Sequence, residues 1–117
     1  METVVEMLQY TLQPGSGAIF HSVMVDESFP LHHLLGVQVL AFGNSIHDAD
    51  NYYLLRSFQN VSEMDLQLAQ LYSDPRWKKG PRNAIISMIL ESHRVVFPSD
   101  TANFLLPKIS SASLLPR

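Results

Sequence analysis

Residues 52–58 decide the fold, and they read Tyr52-Tyr53-Leu54-Leu55-Arg56-Ser57-Phe58. Aromatic and aliphatic residues at this density are typical of a β-strand. Side chains alternate between the two faces of a strand, and here both alternating sets are largely apolar. A strand of this kind is buried on both faces. We therefore expect residues 52–58 to lie in a sheet that is covered on two sides.

Three further segments have the composition of strands. They are residues 3–12, which end at the turn dipeptide Pro14-Gly15, residues 37–42 and residues 92–97. The polar loop between 37–42 and 52–58 is short enough for a hairpin.

Helical spacing fills the intervals between the strands. Ser16 is placed to cap a helix with Ile19, Phe20, Val23 and Met24 inward. We expect Pro30 to interrupt that helix and Gly36 to close a further turn after it. A second helix is expected to begin at the capping-box-like Ser62-Glu63-Met64-Asp65, with Met64, Leu68, Leu71 and Tyr72 inward. A third begins near Pro81, with Ala84, Ile85, Met88 and Ile89 inward.

The resulting order is β-α-β-β-α-(α)-β, which predicts an α+β fold of the ferredoxin-like, split βαβ type with a four-stranded antiparallel sheet. Its helices are expected on one face of the sheet. We expect one such domain over residues 1–98. Residues 99–117 carry two Leu-Leu-Pro motifs around a serine-rich stretch, and we interpret them as an extended C-terminal arm. The alternative is an arm that crosses to a partner and docks there.

The sequence also predicts that the other face of the sheet is covered. In residues 37–42, one set is Val37, Val39 and Ala41, and the other is Gln38, Leu40 and Phe42. Residues 3–12 are also apolar in both sets. Charged residues are only 16% of the 117-residue chain, against about 25% on average. A single copy cannot cover both faces, so we expect a homodimer with the two sheets packed face to face.

The ordered motifs resemble the NIPSNAP family. Tyr10-Thr11-Leu12-Gln13-Pro14-Gly15 is similar to its YTLKPG opening, the strand 52–58 follows, and Trp77 stands in a Ser-Asp-Pro-x-Trp context. The resemblance covers about residues 4–97. It implies the dimeric α/β-barrel superfamily, with homodimers whose pockets lie between the sheet and its helices.

Glu6, Gln38 and Arg56 are polar residues in the middle of apolar strands. Buried charges are usually paired, so we expect a Glu6–Arg56 pair, joined by Gln38 or not, in the dimer core or lining a pocket. The set either fixes the strand register as a structural network or orients a ligand. A shift of strand phase would instead place it at the surface.

Candidate reactive groups are few. His93 lies on the strand expected to pair with residues 3–12, and with Tyr53 and Arg56 it forms the catalytic candidates. The strand tyrosine Tyr10 is a ligand-binding candidate, although core packing explains strand tyrosines equally well.

A basic cluster, Arg76, Lys78, Lys79 and Arg82, surrounds Trp77. It favours either an anion site with Trp77 and Arg82 as ligand-binding candidates, or a turn anchored by Trp77 with solvated charges.

Several classes are excluded or disfavoured. Five histidines without a converging spacing predict no metal site, and we expect no cofactor. The absence of cysteine excludes disulfides and thiolate chemistry, and suits a cytoplasmic protein. A net charge of −3 argues against nucleic acid as a partner. No apolar run is long enough for a membrane span, and no signal peptide is evident.

The resulting hypothesis is a NIPSNAP-like homodimeric α/β-barrel protein that binds a small apolar or aromatic ligand between sheet and helices. The alternative is a small cofactor-independent monooxygenase-like or isomerase-like enzyme of the same superfamily.

Overall fold

The computed structural model describes residues 3–100. Its elements follow the expected order. They are β1 (Val4–Leu12), α1 (Gly17–Val23), a π-helical turn (Met24–Ser28), α2 (Phe29–Leu34), β2 (Gln38–Asn44), β3 (Asn51–Phe58), α3 (Val61–Ser73), α4 (Pro75–Lys79), α5 (Arg82–Met88) and β4 (Ile89–Pro98). The α+β, ferredoxin-like prediction is confirmed. Residues 101–117 of the expected C-terminal arm lie outside the described residues.

The four strands form one antiparallel sheet in the order β2-β3-β1-β4. β1 is central, and its residues lie opposite β3 on one side and β4 on the other. Glu6 lies opposite Arg56 of β3, and Leu8 lies opposite Arg94 of β4. Because directly paired residues of antiparallel strands share a face, this register fixes which side chains lie together.

A β-bulge changes the face of half of β2. The pairing with β3 shifts between Val39 and Ala41, so that Ala41 lies opposite Leu55 and Phe42 opposite Leu54. The simple alternation expected for residues 37–42 is therefore wrong beyond Val39. The extra residue returns Phe42 to the face of Val39, where its ring centroid lies 5.2 Å from that of Phe29.

The first helical segment continues through Pro30, contrary to expectation. Ser28 and Phe29 keep right-handed helical dihedrals, and the π-helical turn Met24–Ser28 joins α1 to α2. Pro30 lacks an N–H and would leave a carbonyl of the preceding turn without its donor, and the wider turn lies where that donor is missing. Gly36 ends the segment with φ +78°, the left-handed conformation that glycine adopts without a Cβ penalty.

Two element boundaries and the exposure of one residue also differ. The cap of α3 is Asn60, whose Oδ1 accepts the Glu63 N–H at 2.8 Å, and Ser62 already lies inside the helix. α5 ends at Met88, so Ile89 begins β4 instead of completing the helix. Ile19 is exposed on α1, whereas Phe20 and Met24 enter the core.

All helices pack on one face of the sheet, which we call the covered face. Its core is formed by apolar residues of the strands and helices: Val4, Leu8, Leu12, Leu54, Phe58, Phe20, Met24, Met64, Leu68, Leu71 and Ile85. We call the other side the open face. It consists of Val5, Met7, Gln9, Gln38, Ala41, Gly43, Tyr53, Leu55, Ser57, His93, Val95 and Phe97.

Candidate functional site

The covered face buries a carboxylate in its centre. Glu6 is 1% exposed and Arg56 is also 1% exposed. The Glu6 Oε1 atom accepts from Arg56 Nε and Nη2, each at 2.7 Å. The cross-strand register explains this contact, because the two residues lie directly opposite each other on β1 and β3. The predicted Glu6–Arg56 pair is confirmed, and it lies between the sheet and the helices.

A second guanidinium completes the carboxylate. Arg94 of β4 donates its Nε to Glu6 Oε2 at 2.6 Å, and its side chain is 45% exposed. Both carboxylate oxygens therefore accept charge-assisted hydrogen bonds, which are stronger than hydrogen bonds between neutral groups. The cluster therefore connects three neighbouring strands through one acidic residue.

His32 of α2 extends the cluster to the helical layer. Its Nδ1 lies 2.7 Å from the Ser28 carbonyl oxygen, and its Nε2 lies 3.0 Å from Arg56 Nη1. A carbonyl can only accept, so Nδ1 carries the proton and Nε2 accepts from the guanidinium. Burial lowers the pKa of His32 to about 4. His32 is thus neutral, and it acts as an acceptor for Arg56.

Tyr72 of α3 also contacts Arg56. Arg56 Nη1 also donates to the Tyr72 hydroxyl at 3.0 Å, and its guanidinium carbon lies 5.8 Å from the centre of the Tyr72 ring. The orientation of Arg56 is therefore fixed by β1, α2 and α3 together. Such over-determined placement is typical of a pre-organised site.

A cavity of about 420 Å³ lies beside this cluster. Glu6, Arg56 and Arg94 form its charged side, and Ser92 lies next to them on β4. Leu8, Leu68, Tyr10 and Tyr72 form its apolar and aromatic walls. Burial raises the pKa of Tyr10, so this phenol is neutral. A concave space with apolar walls and a few converging polar groups is the usual form of a small-molecule site.

The structure brings together three of the residues singled out from the sequence. Glu6, Tyr10 and Arg56 line the cavity. Gln38 does not join them, because it lies on the open face, where its Oε1 accepts from Ser57 Oγ at 2.9 Å. Tyr53 and His93 also lie on the open face, where His93 is exposed beside Glu91.

The Trp77 cluster forms a separate structure. Trp77 is buried with its ring centroid 5.3 Å from that of Tyr72. Arg76 pairs with Asp74, and Arg82 bonds Asn83 at the surface. Trp77 thus anchors this turn, and neither Trp77 nor Arg82 lines the cavity beside Glu6.

Sequence reasoning missed three contributors to the site: Arg94, His32 and Tyr72. Arg94 alternates with Ser92 and Val96 on an edge strand, and its register against Leu8 was the signal that could have found it. His32 and Tyr72 come from helices, so only the packing of helix on sheet reveals them.

The open face carries large apolar side chains that remain accessible. Val95 is 51% exposed, Met7 is 40% exposed, and they lie in one row with Leu55 and Ala41. A cavity of about 500 Å³ lies at one end of this face, and Val5, Gln38 and Leu40 contribute to its lining. Exposed apolar patches are typical of protein–protein interaction sites.

Residues 3–100 contain neither a cluster of metal-ligand side chains nor a helix that could span a membrane. No three histidine, aspartate or glutamate side chains in this part of the chain lie together as a metal site would require. None of its helices is long and apolar enough to cross a membrane.

The element order and the sheet order define a ferredoxin-like α+β protein. Several solved structures of NIPSNAP-type proteins are similar to it. A NIPSNAP-like domain protein from Burkholderia xenovorans is similar with a TM-score of 0.75 at 15% identity, over 82% of this chain and 84% of that one. A NIPSNAP family protein from Agrobacterium tumefaciens gives 0.75 at 14% identity, over 83% and 85%.

A second NIPSNAP family protein from A. tumefaciens gives a TM-score of 0.73 at 20% identity, over 83% of this chain and 87% of that one. No family model matches the sequence, and no curated protein matches it either. The chain has the fold of NIPSNAP proteins, so the resemblance noted from the sequence is confirmed at the level of fold.

Proposed function

We propose that the chain is a homodimeric member of the NIPSNAP family, within the dimeric α/β-barrel superfamily, that binds a small apolar or aromatic molecule. The observation that carries this proposal is the cavity between β1, β3, β4 and α3. Its walls are apolar and aromatic. Its charged side consists of Glu6, Arg56 and Arg94, which are joined by hydrogen bonds. Pre-organised polar groups beside apolar walls are suited to orienting a ligand.

The open face supports the dimer. Its central row, Ala41, Leu55, Met7 and Val95, crosses all four strands. A two-fold axis through this face packs identical apolar rows against each other, as in other isologous interfaces. The low charge content of the chain agrees with a large covered surface.

A neutral aromatic probe, N-phenyl-1-naphthylamine, tests the cavity. We expect its fluorescence to rise on binding, and the response to be lost in Leu68→Trp, where the indole fills the space between α3 and the sheet. Leu66→Trp is the matched control, because Leu66 is exposed on the same helix. Ser92→Phe fills the cavity from the edge strand if Leu68→Trp fails to fold. Unchanged probe binding in a folded cavity-filling variant would overturn the ligand proposal.

Light scattering tests the dimer, with Val95→Asp as the disruptive variant. A dimer of this variant would bury two aspartates that have no partner for their charge. We therefore expect the dissociation constant to rise about a hundredfold, which corresponds to about 2.7 kcal/mol of association free energy. Ile19→Asp is the control, because Ile19 is exposed away from the sheet. A wild-type chain that is monomeric at micromolar concentration would contradict the dimer.

The enzymatic alternative now has fewer supporting residues. Of its candidates, only Arg56 lines the cavity, whereas His93 and Tyr53 lie on the other side of the sheet. Apart from its charged residues, the cavity offers the hydroxyl groups of Tyr10, Tyr72 and Ser92 to a reaction.

A further inference from the structure

We infer that the cavity beside α3 selects an organic anion, a planar aromatic molecule with one acidic group such as a carboxylate, and that Arg94 binds that group. This inference rests on the proposed ligand cavity and specifies the class of ligand. Three features of the cluster carry it: its charge, the unused donors of Arg94, and the arrangement of the walls.

The charge of the cluster is unbalanced. Arg56 and Arg94 each contribute one positive charge, because arginine stays protonated in proteins. Glu6, which accepts hydrogen bonds from both guanidinium groups, contributes one negative charge. His32 is neutral, since it accepts from Arg56 and donates to Ser28. The cavity wall therefore has a net charge of about +1 by this count, in a setting where charge interactions are stronger than in water.

Glu6 does not use up the donors of Arg94. Its Oε1 is occupied by Arg56, and Arg94 reaches Oε2 only through Nε. Arg94 Nη2 contacts the Met64 sulfur, a weak acceptor, at 3.4 Å. Among residues 3–100, Arg94 Nη1 has no hydrogen-bond partner. A partly exposed guanidinium with unused N–H groups is the form in which arginine binds a carboxylate.

The walls place an aromatic body next to that donor. Ser92 shares a face with Arg94 on β4 and adds a hydroxyl at the cavity. On β1, Leu8 lies opposite Arg94 and Tyr10 lies opposite Ser92. Leu68 and Tyr72 of α3 complete the lining. An acidic group on Arg94 therefore directs the rest of the molecule between leucine side chains and tyrosine rings, which suits a planar ring system.

A matched pair of probes tests the inference. 8-Anilinonaphthalene-1-sulfonate and N-phenyl-1-naphthylamine share one aromatic body, and only the first carries an acidic group. We expect the wild-type protein to bind the sulfonate at least about tenfold more tightly, the effect of one charged hydrogen bond. Fluorescence titration of both probes measures this ratio.

Arg94→Met removes the guanidinium and keeps an apolar stem, while Glu6 keeps its contact with Arg56. We expect the preference for the sulfonate to disappear, because the affinity of this variant for the sulfonate falls to its affinity for the neutral probe. Arg94→Lys keeps the charge as a point charge without the planar fork, and we expect it to restore part of the preference.

The outcomes separate this inference from the proposal beneath it. Equal affinities in the wild type, or a sulfonate preference that persists in Arg94→Met, would overturn the anion assignment and leave the cavity proposal standing. Sulfonate binding that survives in folded Ser92→Phe would show that the probe binds elsewhere, and would also overturn the assignment. Loss of the neutral probe in the same variant would still support the cavity.

Discussion

The two faces of the sheet treat polar side chains in opposite ways. On the covered face, Glu6 and Arg56 are removed from water and held by contacts from β4, α2 and α3. On the open face, Gln38 and Ser57 bond each other within reach of solvent. All four residues are polar positions on strands. The contribution of each residue to stability therefore depends on whether helices cover its face of the sheet, and not on its position along the strand.

Arg56→Met is the substitution from which we expect the largest effect. It leaves Glu6 buried with only Arg94 as a partner and removes the donor to His32 and Tyr72. Removing one partner of a buried ion pair costs about 3 kcal/mol or more. Urea denaturation at a fixed protomer concentration measures this loss, since association adds to apparent stability.

Arg76→Met is the matched control for that variant. Arg76 forms an ion pair with Asp74 at the surface, so its loss should be much smaller. A cost below about 0.5 kcal/mol for Arg56→Met would show that Arg94 alone can hold the Glu6 carboxylate, and the comparison of the two faces would lose its basis.

Acid should weaken the covered face through His32. The pKa of His32 is lowered by burial to about 4 in the folded chain, against about 6.5 when unfolded. Its contribution is therefore fully present above pH 6.5 and is lost as the pH falls towards 4, because the unfolded chain binds the proton first. Between about pH 7.5 and 5 we expect a loss of about 2 kcal/mol.

Comparing urea denaturation of wild type and His32→Gln across this range isolates the effect. Glutamine can donate and accept a hydrogen bond but does not titrate, so its profile should be flatter by that amount. His33→Gln, an exposed neighbour on the same helix, is the control and should follow the wild type. Parallel profiles for wild type and His32→Gln would mean that His32 accepts a proton inside the folded chain.

The sequence was sufficient where local patterns determine structure. Alternation in residues 52–58 and the Pro14-Gly15 turn predicted the strands and their order, and the Glu6–Arg56 pair followed from polar positions in apolar strands. The family resemblance rested on similar local motifs.

Features that depend on packing between distant segments could not be predicted. The bulge after Val39 depends on pairing with β3, and the wide turn before Pro30 depends on helix continuity. The bulge exchanged the faces of Ala41 and Phe42. Arg94 reaches Glu6 only because β4 pairs with β1, so its role is a property of the sheet and not of its own segment.

Gln38→Ala should change the free energy of unfolding least, and it tests whether association buries polar residues of the open face. The Gln38–Ser57 hydrogen bond is exposed, so its loss should cost about 0.5 kcal/mol or less. Measuring it in Val95→Asp, expected to be monomeric, and again in the wild type shows whether association buries it. A cost that rises by about 1 kcal/mol in the wild type places Gln38 inside the interface, whereas equal costs place it outside. A cost near that of Arg56→Met in the Val95→Asp background would contradict the assignment of Gln38 to a solvent-accessible face.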